Sequence, residues 1–219
     1  MYEAPDLKKA FEYENNFYLS SDSSRTAKLI AQYKIFEMSK SIEGDIFEFG
    51  VFKGASISRL FSFREILKQN KKKIFGFDTF KSFPETNLKE DSKIRNNFIK
   101  ESGEPISKKD LSNILMKKKY SNFELIKGNV LKTLPNFLKR NKNLKISFIN
   151  LDVDLYEPSK KILELLYNKV SPGGFILLDN YSNFKGETKA VDDFFKLKTE
   201  TINAPIFENT PFYIKKNKI

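Results

Sequence analysis

Residues 44–54 read Gly-Asp-Ile-Phe-Glu-Phe-Gly-Val-Phe-Lys-Gly, and this stretch decides the fold class. Its first half is a short apolar run typical of a buried strand, and residues 54–68 carry apolar side chains at helical spacing. The alternation recurs along the chain, with further strands predicted at 73–78, 123–127, 145–151 and 175–178. Strands separated by helices form a parallel sheet that is covered on both faces. We therefore predict an α/β fold.

The remaining segments complete the fold prediction. Further helices are predicted at 26–42, 106–119, 133–140, 157–170 and 187–198. The sequence Ser171-Pro172-Gly173-Gly174 is expected to end the helix at 157–170, because proline and glycine do not continue a helix. Residues 204–216 are expected to form a terminal antiparallel hairpin, whereas residues 79–105 are predicted to be irregular. Residues 1–25 are interpreted as an extension ahead of one domain, 26–219.

Composition excludes several kinds of chemistry. The 219 residues contain no Cys and no His, which excludes disulfides, thiolate zinc sites, cysteine nucleophiles and imidazole bases. No long apolar run or signal peptide is evident, so we expect a cytoplasmic protein without membrane contact. The net charge of +11 could attract nucleic acid or a phosphorylated substrate. The lysine runs lack interleaved aromatic residues, which does not favour nucleic acid.

Acidic residues stand at the carboxyl ends of the predicted strands, where open parallel sheets bind their ligands. These residues are Glu48, Asp78, Asp152, Asp154 and Asp179. Gly50 and Gly54 in the first turn allow a ligand to approach the backbone closely. Their G-x-x-x-G spacing differs from the dinucleotide fingerprint, which disfavours a nicotinamide dehydrogenase. An acid such as Asp78 can accept both hydroxyls of a ribose, so the pattern indicates a nucleoside cofactor.

Four segments carry a family resemblance. Residues 44–54 are followed in order by Phe77-Asp78-Thr79-Phe80, by Leu151-Asp152-Val153-Asp154-Leu155-Tyr156-Glu157-Pro158 and by Ser171-Pro172-Gly173-Gly174. Together they resemble the macrocin-type O-methyltransferases, S-adenosylmethionine-dependent enzymes that act on sugar hydroxyls. The resemblance covers residues 25–200 and implies a Rossmann-like class I methyltransferase fold. That fold has a mostly parallel seven-stranded sheet with helices on both faces.

The resemblance also implies which residues hold the cofactor. The implied set is Glu48, Gly50 and Gly54 for the methionine side, Asp78 for the ribose, Thr79 and Phe80 beside the adenine, Asn129 for the adenine amino group, and Asp152. At Asn129 a second interpretation stays open, because asparagine also forms turns.

Methylation of an alcohol requires aligned reactants and removal of the hydroxyl proton. Asp152, Asp179 and Asn180 offer the hard oxygen ligands that Mg²⁺ prefers. Asp179-Asn180 departs from the Asp-Asp of the macrocin-type enzymes but resembles the metal pair of the catechol and caffeoyl-CoA O-methyltransferases. Those relatives carry a probable lysine base where this chain has Leu155. Asp154 is therefore expected to act as the base, with Asp152 beside it.

We expect the acceptor to be a hydroxyl of a sugar, a glycan or a related small molecule. Its pocket is expected to be framed by residues 1–25, as a lid, and by residues 79–105. A nucleic-acid methyltransferase is one alternative, although this chain lacks the Asn-Pro-Pro-Tyr-like turn that such enzymes often carry. A catalytically silent cofactor-binding protein is another. A homo-oligomer is expected only from the habit of the family that the chain resembles.

Overall fold

A computed structural model describes residues 5–81, 83–86 and 89–217. Seven strands form one sheet: β1 (Asp45–Phe49), β2 (Ile74–Asp78), β3 (Phe123–Lys127), β4 (Ile146–Leu151), β5 (Val170–Leu178), β6 (Ile202–Asn203) and β7 (Phe212–Lys215). Their order in the sheet is β3-β2-β1-β4-β5-β7-β6. The first five strands in this order are parallel, and β7 runs antiparallel to both β5 and β6. The predicted α/β fold with an antiparallel carboxyl-terminal hairpin is confirmed.

Helices cover both faces of the sheet. They are α1 (Ala10–Ser20), α2 (Ser23–Met38), α3 (Ala55–Ile66), α4 (Lys89–Ser102), α5 (Lys108–Lys117), α6 (Val130–Arg140), α7 (Tyr156–Leu166) and α8 (Lys185–Phe195). One core lies under α6, α7 and α8, and a second lies under α2, α3 and α5. Side chains alternate along β1, so that Ile46 enters the second core and Phe47 the first. No helix among the described residues is long and apolar enough to span a membrane.

Phenylalanine rings fill the core beneath α6. The Phe47 ring lies 4.8 Å from Phe75 and 5.9 Å from Phe137, and Phe49 stacks on Phe77 at 4.9 Å between ring centroids. Rings at these separations add to the burial of apolar area that drives folding. This packing fixes β1 beside β2, and therefore fixes the carboxyl ends at which the acids lie.

Two segments differ from the sequence prediction. Residues 79–105 are not wholly irregular, because they contain α4. The helix at 157–170 ends earlier, at Leu166, and a 3-10 turn over Tyr167–Lys169 leads into β5. β5 includes Pro172-Gly173-Gly174, which we expected to lie between a helix and a strand. The pairing of β4 with β5 shifts register there, and Gly173 has a positive φ of 79°. This irregularity accommodates the proline and the glycines within the strand.

Candidate active site

The strand order reverses between β1 and β4, because the chain leaves β1 toward β2 and leaves β4 toward β5. Open α/β sheets bind ligands at such a point, beyond the carboxyl ends of the strands. Glu48 lies on β1, Asp152 follows β4, and Asp179 follows β5. The structure thus brings three of the predicted site residues to one edge of the sheet.

Two contacts organise the acids after β4 and β5. The Lys28 ammonium donates a hydrogen bond to Asp179 Oδ2 at 2.6 Å, and Asn180 Nδ2 donates to Asp152 Oδ1 at 2.8 Å. The Asn180 backbone N–H donates to Glu187 Oε1 of α8 at 3.0 Å, which fixes the turn. Sequence reasoning missed Lys28 and Glu187. Both stand in helices whose residue pattern carries no signal for a site.

Burial and mutual repulsion raise the pKa values of Asp152, Asp154 and Glu187. The pKa of Asp152 lies well above its usual range because of burial and repulsion by Asp179 and Asp154. Burial and Asp179 raise the pKa of Asp154 to about 7, against the attraction of Lys28. Burial and Asp154 also raise the pKa of Glu187. The raised pKa values show that the carboxyl groups repel one another when ionised, and a bound cation would relieve this repulsion.

Glu48 belongs to a buried polar network on the α2–α3 side of the sheet. Its Oε2 accepts a hydrogen bond from Asn150 Nδ2 at 3.0 Å, and Asn150 also reaches Ser56 Oγ at 3.2 Å. Gln32 of α2 donates to the same Ser56 oxygen at 2.8 Å. Glu48 Oε1 and Asn150 Oδ1 are buried without a hydrogen-bond partner in the described part of the chain. Two orphan acceptors beside the reversal of strand order suit a cationic ligand group.

The turn between β1 and α3 is held by glycine geometry and by Asp78. Gly50 has φ of 91°, and a Cβ there would lie 1.6 Å from the Asp152 carbonyl oxygen, so no other residue fits. Gly54 has φ of 83° at the start of α3. Asp78 Oδ2 accepts the N–H groups of Val51 at 2.7 Å and Phe52 at 2.9 Å. Asp78 therefore anchors this turn from the end of β2.

The other residues predicted to bind the cofactor have local roles. Thr79 Oγ1 and the Phe80 N–H both donate to Asp78 Oδ1, at 3.3 and 2.6 Å. The Phe80 ring is buried in the core beneath α2, α3 and α5. Asn129 caps α6, where its Oδ1 accepts the Leu131 N–H at 2.9 Å. The capping role is what the alternative interpretation of Asn129 expected, and its adenine contact stays a prediction.

Asp154 is buried, with a left-handed φ of 63°. Its backbone carbonyl accepts the Glu187 N–H at 3.0 Å, but its carboxylate accepts no hydrogen bond from the described residues.

From α4, the buried Asp91 accepts the Gly186 N–H at 3.1 Å, at the start of α8. Phe98 of the same helix lies 5.2 Å from Phe52, between ring centroids. Thus α4 bridges α8 and the turn after β1, beside the acids.

The set predicted to hold magnesium combines two carboxylates with one amide. No group of three or more Asp, Glu, His or Cys residues could hold a metal ion within residues 5–81, 83–86 and 89–217. The carboxyl oxygens of Asp152 and Asp179 are nevertheless hard ligands, and this donor type fits Mg²⁺. The Asn180 amide presents its NH₂ group to Asp152, so it has to rotate before its oxygen can face a cation.

The family model, the curated relative and the solved structures that this chain resembles are all described as methyltransferases. The profile described as macrocin O-methyltransferase (TylF) matches residues 26–214. The 8-demethyl-8-(2,3-dimethoxy-alpha-L-rhamnosyl)-tetracenomycin-C 4'-O-methyltransferase of Streptomyces olivaceus is 24% identical over 151 residues, 66% of this chain. The matched region spans 56% of the length of that relative.

Two solved structures share the fold. The calicheamicin methyltransferase CalS11 superposes with a TM-score of 0.77 at 22% identity, over 96% of this chain and 86% of its own. The O-methyltransferase NovP superposes with a TM-score of 0.75 at 19% identity, over 88% and 80% of the two chains. At these identities the likeness concerns the fold alone, and the predicted Rossmann-like methyltransferase fold is confirmed.

Proposed function

Because this chain belongs to the macrocin O-methyltransferase (TylF) family, we propose that it transfers a methyl group from S-adenosylmethionine to a hydroxyl group of a sugar or glycan. The observation that carries the proposal is the convergence of Glu48, Asp152 and Asp179 where the strand order reverses. The acceptor class is inferred from the S. olivaceus relative, because the substrate in the name of that enzyme carries a rhamnosyl group.

We assign the methionine end of the cofactor to Glu48 and Asn150. Their buried, unpartnered oxygens can accept hydrogen bonds from an ammonium group. Gly50 and Gly54 shape the neighbouring turn, and Asp78 at the end of β2 is proposed to contact the ribose. Asp78 already accepts two N–H groups of the turn, so its contact with the ribose would be shared with the protein backbone.

Methyl transfer is an in-line displacement in which the acceptor oxygen bonds the methyl carbon while the carbon–sulfur bond breaks. The hydroxyl proton must pass to a base, and we assign this role to Asp154. Its carboxylate is free of hydrogen bonds from the described residues, and its pKa is raised to about 7, near the value that suits a general base. Asp152 lies beside it and positions the acceptor.

We propose that Asp152, Asp179 and Asn180 hold Mg²⁺, which when bound supplies positive charge that lowers the pKa of a hydroxyl. The crowding of carboxyl groups supports this assignment, because a divalent cation would relieve the mutual repulsion that raises the pKa values of Asp152 and Asp154. The acceptor pocket is assigned to the space beside α4 and beneath the extension 1–25. Helix α1 belongs to this extension, and its apolar side chains are exposed.

The test is turnover by the purified chain on a panel of free, nucleotide-linked and glycan-linked deoxysugars, with methyl transfer followed by mass spectrometry. Asp179→Ala should abolish turnover and leave S-adenosylhomocysteine affinity unchanged within about threefold, whereas Asp154→Asn should lower the rate about 10²–10⁴-fold. Asp193→Ala is the matched control, because Asp193 pairs with Lys189 on the exposed face of α8. Full turnover after exhaustive chelation would contradict the magnesium assignment, and S-adenosylhomocysteine binding without turnover on any acceptor would favour a silent cofactor-binding protein.

A further inference from the structure

A lysine side chain of the described part of the protein contacts one of the clustered acids directly. Lys28 Nζ lies 2.6 Å from Asp179 Oδ2. The Lys28 side chain is 35% exposed, whereas that of Asp179 is only 4% exposed. Asp179 directly follows β5, whereas Lys28 is a long, flexible and partly exposed side chain of α2. Lys28 can therefore leave the contact for solvent, whereas Asp179 cannot.

The charges around this contact strengthen it. Burial lowers the pKa of Lys28, but Asp179 and Asp152 attract its ammonium so strongly that the pKa is raised overall. Arg59 of α3 is a second cation near these acids, and Asp179, Glu48 and Asp152 attract it. Its guanidinium donates a hydrogen bond to Gln32 Oε1 at 3.5 Å. Lys28 thus occupies one of the two carboxylate oxygens, Oδ2, through which Asp179 could bind a metal ion.

We propose that Lys28 is a tethered cation that competes with a divalent metal ion for Asp179. Without metal, the ammonium neutralises Asp179 and keeps the acid cluster folded, since a buried charge that loses its partner is strongly destabilising. When a metal ion binds, Lys28 has to move away, so the lysine weakens metal affinity. This inference rests on the proposed magnesium site but concerns binding and stability, which can be measured without the acceptor.

The experiment compares Mn²⁺ binding, read by electron paramagnetic resonance with Mg²⁺ as competitor, in the wild type and Lys28→Met. Methionine keeps most of the length of the stem and removes the charge. We expect Lys28→Met to bind Mn²⁺ at least tenfold more tightly than the wild type. Lys34→Met is the control, because Lys34 lies on the same helix over the Phe207 ring, 5.2 Å from its centroid, and should leave the affinity unchanged.

Thermal unfolding gives a second readout. Without metal, Lys28→Met should melt below both the wild type and Lys34→Met, and saturating Mn²⁺ should raise its melting temperature more than that of the wild type. Adding Asp179→Asn to Lys28→Met should remove the gain in Mn²⁺ affinity, which assigns the metal ion to this pair. Lys28→Arg keeps the charge and should bind Mn²⁺ no more tightly than the wild type.

Equal or weaker Mn²⁺ binding by a folded Lys28→Met would overturn the inference, even if turnover proved metal-dependent. A tenfold gain in affinity that survives Asp179→Asn would also overturn it, because the metal ion would lie elsewhere. Should Lys28→Met fail to fold, an Mn²⁺ affinity of Lys28→Arg above that of the wild type would overturn it as well. Conversely, a gain that depends on Asp179 would support the inference even if chelated enzyme kept full turnover, an outcome that contradicts only the magnesium half of the proposed function.

Discussion

Glu48 is a fully buried carboxyl group on a central strand, where water cannot solvate its charge. Burial raises its pKa to about 8, against hydrogen bonds from Ser56 and Asn150, which favour the charged form. Asp179 raises the pKa further and Lys28 lowers it. The group therefore holds a proton in the folded apoprotein at a pH where an unfolded glutamic acid has lost it.

This difference predicts a pH dependence of stability. Between the ordinary pKa of about 4.5 and the folded value of about 8, unfolding releases the Glu48 proton, so the free energy of unfolding falls as pH rises. The slope for one fully linked proton is about 1.4 kcal/mol per pH unit. Urea titrations of the chelated apoprotein should show a flatter decline between pH 5 and 8 for Glu48→Gln than for the wild type.

The control is Glu43→Gln, because Glu43 is exposed beside Lys145 and should leave the slope unchanged. The other buried acids, Asp152, Asp154 and Glu187, have raised pKa values of the same sign. They stay in both proteins, so the difference between the two curves reports on Glu48 and on its repulsion of Asp152. Parallel curves for Glu48→Gln and the wild type would mean that Glu48 is ionised in the folded apoprotein.

Single residues also show what the sequence could predict about the site. Glu48, Asp152 and Asp179 were placed correctly at one edge of the sheet, because the carboxyl ends of parallel strands must share an edge. Lys28 could not be found in this way. It lies 151 positions from Asp179 in the chain, on a helix where a lysine is ordinarily a solvated surface residue.

At the scale of elements, β1 to β4 were predicted to within about one residue, because buried parallel strands are short apolar runs with polar ends. Helix α4 was missed, since Lys89–Ser102 is mostly charged and polar and has only three apolar residues. Its anchor is tertiary: Asp91 accepts an N–H from Gly186, 95 positions away. The predicted start of β5 was wrong, because the proline and glycines of this segment are compatible with a register shift in a strand as well as with a turn.

The turn after β1 and the end of β2 form one unit through Asp78. Replacing Asp78 by Ala removes the acceptor for the Val51 and Phe52 N–H groups. We expect the variant to lose about 1–3 kcal/mol of folding free energy, the cost of leaving such groups unsatisfied. S-adenosylhomocysteine affinity should fall at least tenfold in calorimetry, because the turn loosens and the proposed ribose contact is lost.

Asp78→Asn separates these two effects. It keeps one side-chain oxygen, which can accept both N–H groups of the turn as Asp78 Oδ2 does, so it should recover most of the stability. It loses the second acceptor oxygen needed to hold both ribose hydroxyls, so the affinity should stay low. Unchanged affinity in a folded Asp78→Ala variant would remove Asp78 from the cofactor site.

For the molecule as a whole, a group of basic residues lies at the end of the sheet opposite to the acid cluster. A cavity of about 850 Å³ opens at the amino ends of β1, β2 and β4, and six basic residues line it: Lys71, Lys72, Lys139, Arg140, Lys142 and Lys145. The acid cluster lies at the carboxyl ends of the strands. A nucleic acid held by this basic surface would be directed away from the acids, which disfavours the nucleic-acid alternative.

The amino-terminal helix α1 is exposed on all sides in the described structure. No residue of α1 is buried, and Phe11 and Leu19 are 79% and 87% exposed. An isolated helix of eleven residues is marginal in water, so we interpret α1 as an element that gains its packing from the acceptor that it covers. The alternative is that a second copy of the chain covers it.

Deleting residues 1–21 tests this interpretation and keeps Asp22, whose carboxylate caps α2 by accepting the Ser24 N–H at 2.9 Å. Because the deletion removes no buried side chain of α1, the midpoint of urea unfolding should stay unchanged. S-adenosylhomocysteine affinity should also stay unchanged, whereas the KM for the sugar acceptor should rise about tenfold or more, as the loss of an apolar contact surface of two large side chains would give. Loss of stability together with a lower mass in light scattering would instead assign α1 to an interface between copies. An unchanged KM with unchanged mass would show that α1 covers neither the acceptor nor a second copy.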